Sequence, residues 1–293
     1  MDSEKRKWFY LVVLSLVWGS SYILIKKALI GLDPVQLGVL RILFSAIFLF
    51  LIGFGTLRKI SSKEWPWVAL SAVCGTLLPV FLFAFAQTEI ASSVTSILNS
   101  LVPLFTIILG YFLFQAKFSG AQVLGVLIGL AGAGLLIFQG AQVNPDQNYW
   151  YALLIVIASL CYSANANIVK SKLQGLSSMA ITVGNFAVML PVVLVMLPFT
   201  GVSKTETVTN PAFKQGLIYV GILSLVGTSL AKILFNRLIQ ISTPVFSTSV
   251  TYLIPLVGIF WGVIDGETFT WMQVLAALII LGGVYLVNSN KKS

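Results

Sequence analysis

The residues of this sequence that could do chemistry are few, and they lie in apolar surroundings. The sequence contains no histidine, which removes the commonest general base and the commonest transition-metal ligand. Its two cysteines, Cys74 and Cys161, each lie in an apolar run without a CxxC partner, so the sequence predicts neither a zinc site nor a disulfide framework. A membrane enzyme would need acidic, basic or nucleophilic groups converging at one depth, and the sequence shows no such cluster. We therefore expect no catalytic residue, no metal and no cofactor.

A second group of candidate residues consists of polar and aromatic side chains that stand inside apolar stretches. Lipid offers such groups no hydrogen-bond partner, so they should face protein or water. The side chains that we expect to contact a solute are Trp18, Ser21, Tyr22, Thr76, Phe83, Gln87, Asn99, Tyr162, Asn165, Thr228, Lys232, Asn236 and Tyr252. Aromatic rings beside neutral hydrogen-bonding groups suit a zwitterion or an aromatic solute better than a polyanion.

Two of these residues have alternative explanations that the sequence leaves open. Trp18 stands well inside an apolar run, where it either shapes a substrate cavity or packs between helices with one buried hydrogen bond. Lys232 either offers a cation to a carboxylate or phosphate, or extends its ammonium group to the inner membrane surface.

The remaining charges and prolines inside apolar runs are assigned other roles. We expect Arg41 to be a structural charge that pairs with Asp33 or Glu89, and a role in substrate binding is the alternative. Pro103 and Pro255 free a backbone carbonyl one turn earlier, and they are candidate helix kinks that either stay static or act in gating. No carboxylate lies in the middle of an apolar run, which argues against a proton relay and, should the chain be a carrier, favours downhill transport or exchange.

The composition requires that these residues be positioned by membrane-spanning helices. Of the 293 residues, 58% are apolar and only 9% are charged, whereas about 25% of residues are charged in a typical soluble protein. Apolar stretches of about 20 residues, the length that crosses a bilayer, predict ten transmembrane helices. They are placed at residues 9–30, 34–55, 66–87, 91–113, 120–139, 150–169, 178–199, 214–238, 243–264 and 270–288.

The distribution of basic residues predicts the orientation of the chain. Twelve of the 18 Lys and Arg residues fall on one side if the spans alternate, and four fall on the other. The positive-inside rule then places both termini in the cytoplasm. The net charge of +9 is thus a topology signal, and nucleic-acid binding is not expected.

The ten predicted spans divide into two related halves. Trp18 aligns with Tyr162 and Arg41 with Asn185 at an offset of 144 residues, and Phe83 aligns with Phe235 at an offset of 152. Because five is an odd number, the second half must enter the membrane in the opposite orientation, as an inverted repeat. The predicted halves are residues 1–143 and 144–293. Inverted repeats are typical of alternating-access transporters, although channels and membrane enzymes can also be duplicated.

Several motifs resemble EamA-type members of the drug/metabolite transporter superfamily. They are Trp18-Gly19-Ser20, Arg41, the segment from Asn99 to Pro103, the segment from Tyr252 to Pro255 and the turn with Gly262 and Glu267. The resemblance covers essentially the whole chain, and it identifies the fold better than the substrate. Glu267 has Gln115 or a neighbour at the matching place in the first half, so a role for this acid cannot be symmetric.

The resemblance implies a ten-helix bundle around a central cavity that is lined mainly by spans 1, 3, 4, 6, 8 and 9. It also implies export of amino acids or other metabolites. We therefore expect a multi-pass transporter in a bacterial cytoplasmic membrane that binds a small-molecule substrate and works as a monomer or homodimer. An amino acid or related amphipathic compound is the leading substrate class, and an organic anion or a sugar- or nucleotide-type metabolite is the alternative.

Overall fold

The computed structural model of the chain describes residues 3–114, 120–143, 148–267 and 270–289, and almost all of these are helical. The expected boundary between residues 143 and 144 falls at the edge of a stretch outside the described residues, and Gln115 also lies outside them. The α-helices are α1 Ser3–Ala28, α2 Pro34–Gly53, α3 Trp65–Ala72, α4 Leu78–Ala86, α5 Ser92–Leu98, α6 Val102–Phe114, α7 Gly120–Val143, α8 Ala152–Lys172, α9 Ser178–Met196, α10 Thr205–Thr209, α11 Pro211–Ile222, α12 Ala231–Ile241, α13 Pro244–Thr248, α14 Ile254–Ile264 and α15 Trp271–Ser289.

These helices form ten long segments within the described residues, numbered 1 to 10 in chain order. Segments 3, 4, 8 and 9 each consist of two α-helices (α3 with α4, α5 with α6, α11 with α12, α13 with α14), and α1, α2, α7, α8, α9 and α15 are the other six. Eight segments are long and apolar enough to cross a membrane, whereas segments 5 and 10 contain the shorter apolar helices Leu127–Leu136 and Trp271–Gly283. The fold is thus that of an all-α, multi-pass membrane protein.

The outer surface of the bundle is apolar, as contact with lipid requires. Large hydrophobic side chains such as Leu51, Phe112 and Phe199 are exposed, while serine, threonine and asparagine side chains are buried between the helices. This distribution keeps polar groups inside the protein and leaves the periphery to the hydrocarbon chains.

Segment starts are fixed by local capping. Asp33 accepts hydrogen bonds from the backbone N–H groups of Val35 and Gln36, and the Gln36 side chain bonds back to the Asp33 N–H, which forms a capping box at the start of segment 2. Asn210 caps α11 and Thr243 caps α13 in the same way with a single side-chain bond each.

The two-helix segments are interrupted at matching places. A π-helical turn joins the halves of segment 3 at Val73–Leu77 and of segment 8 at Leu223–Leu230. A 3₁₀ turn breaks segment 4 at Asn99–Leu101 and segment 9 at Ser249–Tyr252.

The two prolines expected to kink segments 4 and 9 lie just after the 3₁₀ breaks. Pro103 and Pro255 each occupy the second residue of the following α-helix. At this place the N–H that proline lacks would have no intrahelical partner in any case. The gating role assigned to the two prolines stays a prediction.

Segments 1–5 and segments 6–10 make matching contacts: the main contacts of a segment in one group have counterparts when the two groups are exchanged. Segment 1 packs on segments 8 and 9, and segment 6 correspondingly packs on segments 3 and 4. Segment 2 contacts segment 8 as segment 7 contacts segment 3, while the pairs 2 and 7, 4 and 9, and 5 and 10 each pack on each other. Each group of five is therefore interleaved with the other around a common centre.

Segments 5 and 10 approach each other closely through glycine. A Cβ atom on Gly283 would lie 2.5 Å from the Gly129 nitrogen and 2.6 Å from the Gly125 carbonyl oxygen. The glycine pattern of these helices thus serves packing within one chain.

Candidate functional site

A cavity of about 90 Å³ lies where the two groups of five segments meet, and it is lined by segments 1, 2, 3, 4, 6, 8 and 9. Ten of the thirteen side chains expected to contact a solute line it. These are Trp18, Ser21, Tyr22, Thr76, Phe83, Asn99, Tyr162, Asn165, Thr228 and Lys232. This volume is several times larger than the roughly 10–15 Å³ that one water molecule needs, so the cavity can hold a small solute.

The structure does not bring Gln87, Asn236 and Tyr252 to this cavity. Gln87 directly follows the last residue of α4, so it does not continue the face of the helix on which Phe83 lies. Asn236 donates from its side-chain nitrogen to Thr182 Oγ1 at 3.0 Å, and so joins segment 8 to segment 7. Tyr252 lies in the 3₁₀ turn of segment 9 and packs, half-buried, against the hydrophobic core.

The aromatic walls of the cavity are arranged as exchange-related pairs. Trp18 packs edge-on against Phe235 with ring centroids 4.9 Å apart, and its counterpart Tyr162 stacks on Phe83 at 5.9 Å. Tyr22 adds an edge-on contact to Phe83 at 5.7 Å. The cavity therefore has two aromatic sides suited to the apolar body of a solute.

Trp18 also forms the buried hydrogen bond that was one of its two explanations. Its indole Nε1 donates to the Gly227 carbonyl oxygen at 3.0 Å. In a regular α-helix this oxygen would accept from the N–H of Ala231, four residues later. At the π-helical turn that N–H donates instead to the carbonyl oxygens of Val226 and Thr228, so the Gly227 oxygen is available to Trp18. Trp18 therefore lines the cavity and ties segment 1 to segment 8.

Lys232 is held inside the protein rather than extended to the membrane surface. Its side chain is 5% exposed, and Nζ donates to the Gly75 carbonyl oxygen in the exchange-related π-helical turn of segment 3. Pro79, four residues after Gly75, has no N–H group, so it cannot donate the usual helical hydrogen bond to that carbonyl. The explanation of Lys232 as a lysine that reaches the inner surface is therefore wrong.

The ion pair expected between Arg41 and Asp33 or Glu89 is also wrong. Arg41 is 8% exposed, lines the cavity and donates from Nε to Thr228 Oγ1 at 2.7 Å. Asp33 is used as the cap of α2, and the Glu89 carboxylate accepts from the backbone N–H of Asn148 at 3.3 Å. Both acids lie beyond the ends of apolar helices, whereas Arg41 lies within segment 2 and faces the centre.

Several polar atoms of the cavity have no partner among the described residues. They are Thr76 Oγ1, Asn99 Oδ1 and Asn165 Nδ2, on side chains that are each at most 3% exposed. A buried polar atom without a hydrogen bond costs about 1–3 kcal/mol. Three such atoms around one cavity are explained if a solute or water completes their hydrogen bonds.

Some lining residues were not among the expected contacts. Phe235 and Thr248 are two of them, although the repeat alignment already pairs Phe235 with Phe83. Gly75 and Gly227 contribute backbone oxygens, and no side-chain pattern marks such a contribution.

A charged cluster lies at the adjacent ends of segments 1, 4 and 9. The Glu267 carboxylate accepts from Ser92 Oγ at 2.8 Å, from the N–H groups of Ser92 and Ser93 at 3.2 Å each, and from Lys26 Nζ at 2.8 Å. Asp265 accepts from Lys26 at 2.7 Å and also contacts Lys27. The cluster fastens segments 1, 4 and 9 together at this end.

The carboxyl groups of this cluster are stabilised in the charged form. The hydrogen bonds from Lys26 and Lys27 hold the pKa of Asp265 below its ordinary value. Burial raises the pKa of Glu267, but hydrogen bonds from Lys26, Ser93 and Ser92 outweigh burial and leave the pKa below its ordinary value.

Comparison with known families gives two matches to one family within the chain. The EamA-like transporter family matches residues 6–138 and again residues 149–289.

Curated relatives align along nearly the whole chain. The protein named "Uncharacterized inner membrane transporter YedA" of Escherichia coli strain K12 is 28% identical over 288 residues, covering 96% of this chain and 90% of the relative. The "Probable amino-acid metabolite efflux pump" of Salmonella typhimurium strain LT2 is 24% identical, covering 97% of this chain and 95% of the relative.

A crystal structure of another protein has the same fold. It superposes with a TM-score of 0.68 over 96% of each chain, at 15% sequence identity.

Proposed function

This chain belongs to the EamA-like transporter family, and we propose that it is an alternating-access exporter whose substrate pathway is the central cavity. The observation that carries the proposal is the cavity itself: it lies between two interleaved groups of five segments, and it presents aromatic walls and unpartnered polar atoms. A carrier needs such a site between two parts that can move against each other.

The two moving parts in this proposal are the repeats 1–143 and 144–293. Their support is the exchange-related packing of the segments, the matching π-helical and 3₁₀ interruptions, and the two family matches. With ten membrane crossings and five in each repeat, the repeats have opposite orientations. Exchanging their packings would open the cavity to the other side of the membrane.

The proposed cellular setting is a bacterial cytoplasmic membrane, with both termini in the cytoplasm. The excess of basic residues on one side of the predicted spans supports the orientation. Relatives named as an inner membrane transporter and as an efflux pump support the location and the outward direction of net transport.

The proposed substrates are small amphipathic metabolites, with amino acids and related compounds as the leading class. Trp18, Phe83 and Tyr162 provide aromatic surface, while Asn99 and Asn165 provide neutral hydrogen-bonding groups beside it. The volume of about 90 Å³ favours small solutes over nucleotides. The relative named as an amino-acid metabolite efflux pump agrees with this class.

Reconstituted protein tests this proposal. Proteoliposomes should take up a labelled member of a panel of amino acids and related acids with saturable kinetics. Phe83→Ala removes a cavity wall and should lower the rate, whereas Phe85→Ala, two residues further on the same helix and 38% exposed, is a matched control that should leave it nearly unchanged. Flux that does not saturate, or equal effects of the two substitutions, would exclude the central cavity as a carrier site.

A further inference from the structure

Both cations of the cavity lie on one of its sides. Arg41 comes from segment 2 and Lys232 from segment 8, and these two segments pack on each other. Aspartate and glutamate are absent from the described residues that line the cavity. Two buried cations without an acid are costly, because each has lost its hydration and gained no counter-ion.

The repeat counterparts of the two cations are neutral residues. The repeat alignment pairs Arg41 with Asn185 at an offset of 144 residues and Lys232 with Val80 at an offset of 152. Segments 7 and 3, which carry these two counterparts, pack on each other as segments 2 and 8 do. The positive charge is therefore specific to one side of an otherwise related pair of surfaces.

Hydrogen-bond donors on this positive side remain free for a ligand. Arg41 donates from Nε to Thr228, and its terminal nitrogens make no hydrogen bond to the part of the chain that the structure describes. Lys232 uses one donor on the Gly75 carbonyl, and an ammonium group has three. A guanidinium group presents its terminal N–H groups in a planar fork that matches a carboxylate.

We propose that Arg41 and Lys232 form the anion subsite of the carrier and hold the carboxylate of a small organic acid. The aromatic walls formed by Trp18, Phe83, Tyr162 and Phe235 receive its apolar body. An ammonium group on the substrate is not required, since no cavity carboxylate among the described residues is there to pair with it. This inference rests on the proposed function and makes the carboxylate, rather than the pair of charges of an amino acid, the group that the site recognises.

Three compounds with the same phenyl body separate the contributions of the charges. 3-Phenylpropanoate carries the carboxylate alone, phenylalanine carries both charges, and 2-phenylethylamine carries the ammonium group alone. A ligand that binds only the folded state raises its thermal stability, so each compound can be titrated against the purified protein by thermal shift. We expect 3-phenylpropanoate to bind at least as tightly as phenylalanine, and 2-phenylethylamine to bind more than about tenfold more weakly, because the charge-assisted hydrogen bonds are lost.

The same titration on variants tests the residues. Arg41→Gln should weaken 3-phenylpropanoate binding by about tenfold or more, and Arg41→Lys, which keeps the charge but not the fork, should weaken it less. Ser45→Ala is the matched control: Ser45 is buried one turn further along segment 2 and donates to the Ser224 carbonyl at 3.0 Å. This substitution loosens the contact of segments 2 and 8 without touching the charge.

The outcomes distinguish this inference from the proposed function. The anion subsite is wrong if 2-phenylethylamine binds as tightly as 3-phenylpropanoate, if neither acid shifts the unfolding temperature, or if Ser45→Ala weakens binding as much as Arg41→Gln. The transporter proposal would survive each of these results if the proteoliposomes show saturable uptake of another compound. If Arg41→Gln does not fold, the ligand comparison on the wild-type protein still decides the question.

Discussion

At the scale of single residues, the unpartnered polar atoms of the cavity connect stability to function. Thr76 Oγ1 is buried without a hydrogen bond in this structure, so its desolvation is uncompensated until a ligand or water arrives. Replacing Thr76 with valine keeps the shape and removes the unpartnered oxygen. We expect the ligand-free variant to be as stable as the wild type or more stable by about 1 kcal/mol, and to bind substrate more weakly. Thermal unfolding with and without substrate measures both effects.

Thr182→Val is the control for that prediction. Thr182 is fully buried in segment 7, where Oγ1 donates to the Ser178 carbonyl at 2.7 Å and accepts from Asn236 at 3.0 Å. The same chemical change there should destabilise the protein, because it leaves the Asn236 amide without its acceptor. If Thr76→Val is as destabilising as Thr182→Val, the Thr76 hydroxyl forms a hydrogen bond in the folded protein, which would contradict its assignment as unpartnered.

Much of the candidate site could be predicted from the sequence at this scale. Polar groups inside apolar runs must face the protein interior, and this rule alone located Asn99, Asn165 and Thr228. The partners of Arg41 and Lys232 could not be predicted, because Thr228 is 187 residues from Arg41 and Gly75 is 157 residues from Lys232. The expectation for Gln87 failed because this residue follows the last residue of α4, where helical periodicity no longer gives the direction of a side chain. The expectation for Asn236 failed because the sequence does not show that segment 7 packs against it.

At the scale of the elements, the charged cluster around Glu267 should make stability depend on pH. The pKa values of Asp265 and Glu267 are below the ordinary values of 3.8 and 4.5. A lowered pKa in the folded state means that the stabilisation is fully present above the ordinary value and is lost as the pH falls through the lowered one. We expect the unfolding temperature of the wild type to fall more steeply below about pH 4.5 than that of Glu267→Gln.

At neutral pH, Glu267→Gln should already be less stable than the wild type, by about 1–3 kcal/mol, since Lys26 and two serines lose a charged partner. Glu64→Gln is the control, because its carboxylate accepts from Ser61 only three residues away and joins no second segment. If the unfolding temperatures of the wild type and of Glu267→Gln fall equally steeply below about pH 4.5, the cluster does not hold segments 1, 4 and 9 together.

The contact between segments 5 and 10 gives a second prediction at this scale. Gly283→Ala places a methyl group within 2.6 Å of backbone atoms of segment 5, which cannot move as a side chain can, so we expect a loss of about 1–3 kcal/mol. Gly282→Ala on the adjacent residue meets no atom within 4 Å and should be neutral or slightly stabilising. Equal unfolding temperatures for the two variants would contradict the packing described.

The positions of the apolar segments were predictable from length and hydropathy, but their internal breaks were not. Pro103 and Pro255 marked the interruptions of segments 4 and 9 to within one turn. The π-helical turn of segment 3 is also followed by a proline, Pro79, but the turn of segment 8 is not, so prolines do not mark both π-helical turns. Those turns supply the Gly75 and Gly227 oxygens that hold Lys232 and Trp18 at the cavity.

At the scale of the whole molecule, membership of a transporter family and the cavity between the two groups of segments point to one way of working. Our claim is that the chain is a carrier whose cavity opens to one side of the membrane at a time. In a carrier, labelled and unlabelled solute compete for one site that faces one side at a time, whereas a channel conducts each solute independently.

Counterflow tests that claim most directly. Proteoliposomes are loaded with a high concentration of an unlabelled substrate found in the uptake panel and diluted into a trace of the labelled compound. For an alternating-access carrier we expect label to accumulate transiently above its external concentration and then decline, and we expect Phe83→Ala, but not Phe85→Ala, to reduce this overshoot. A smooth approach to equal concentrations, with no overshoot in a protein that binds the substrate, would contradict alternating access through the central cavity.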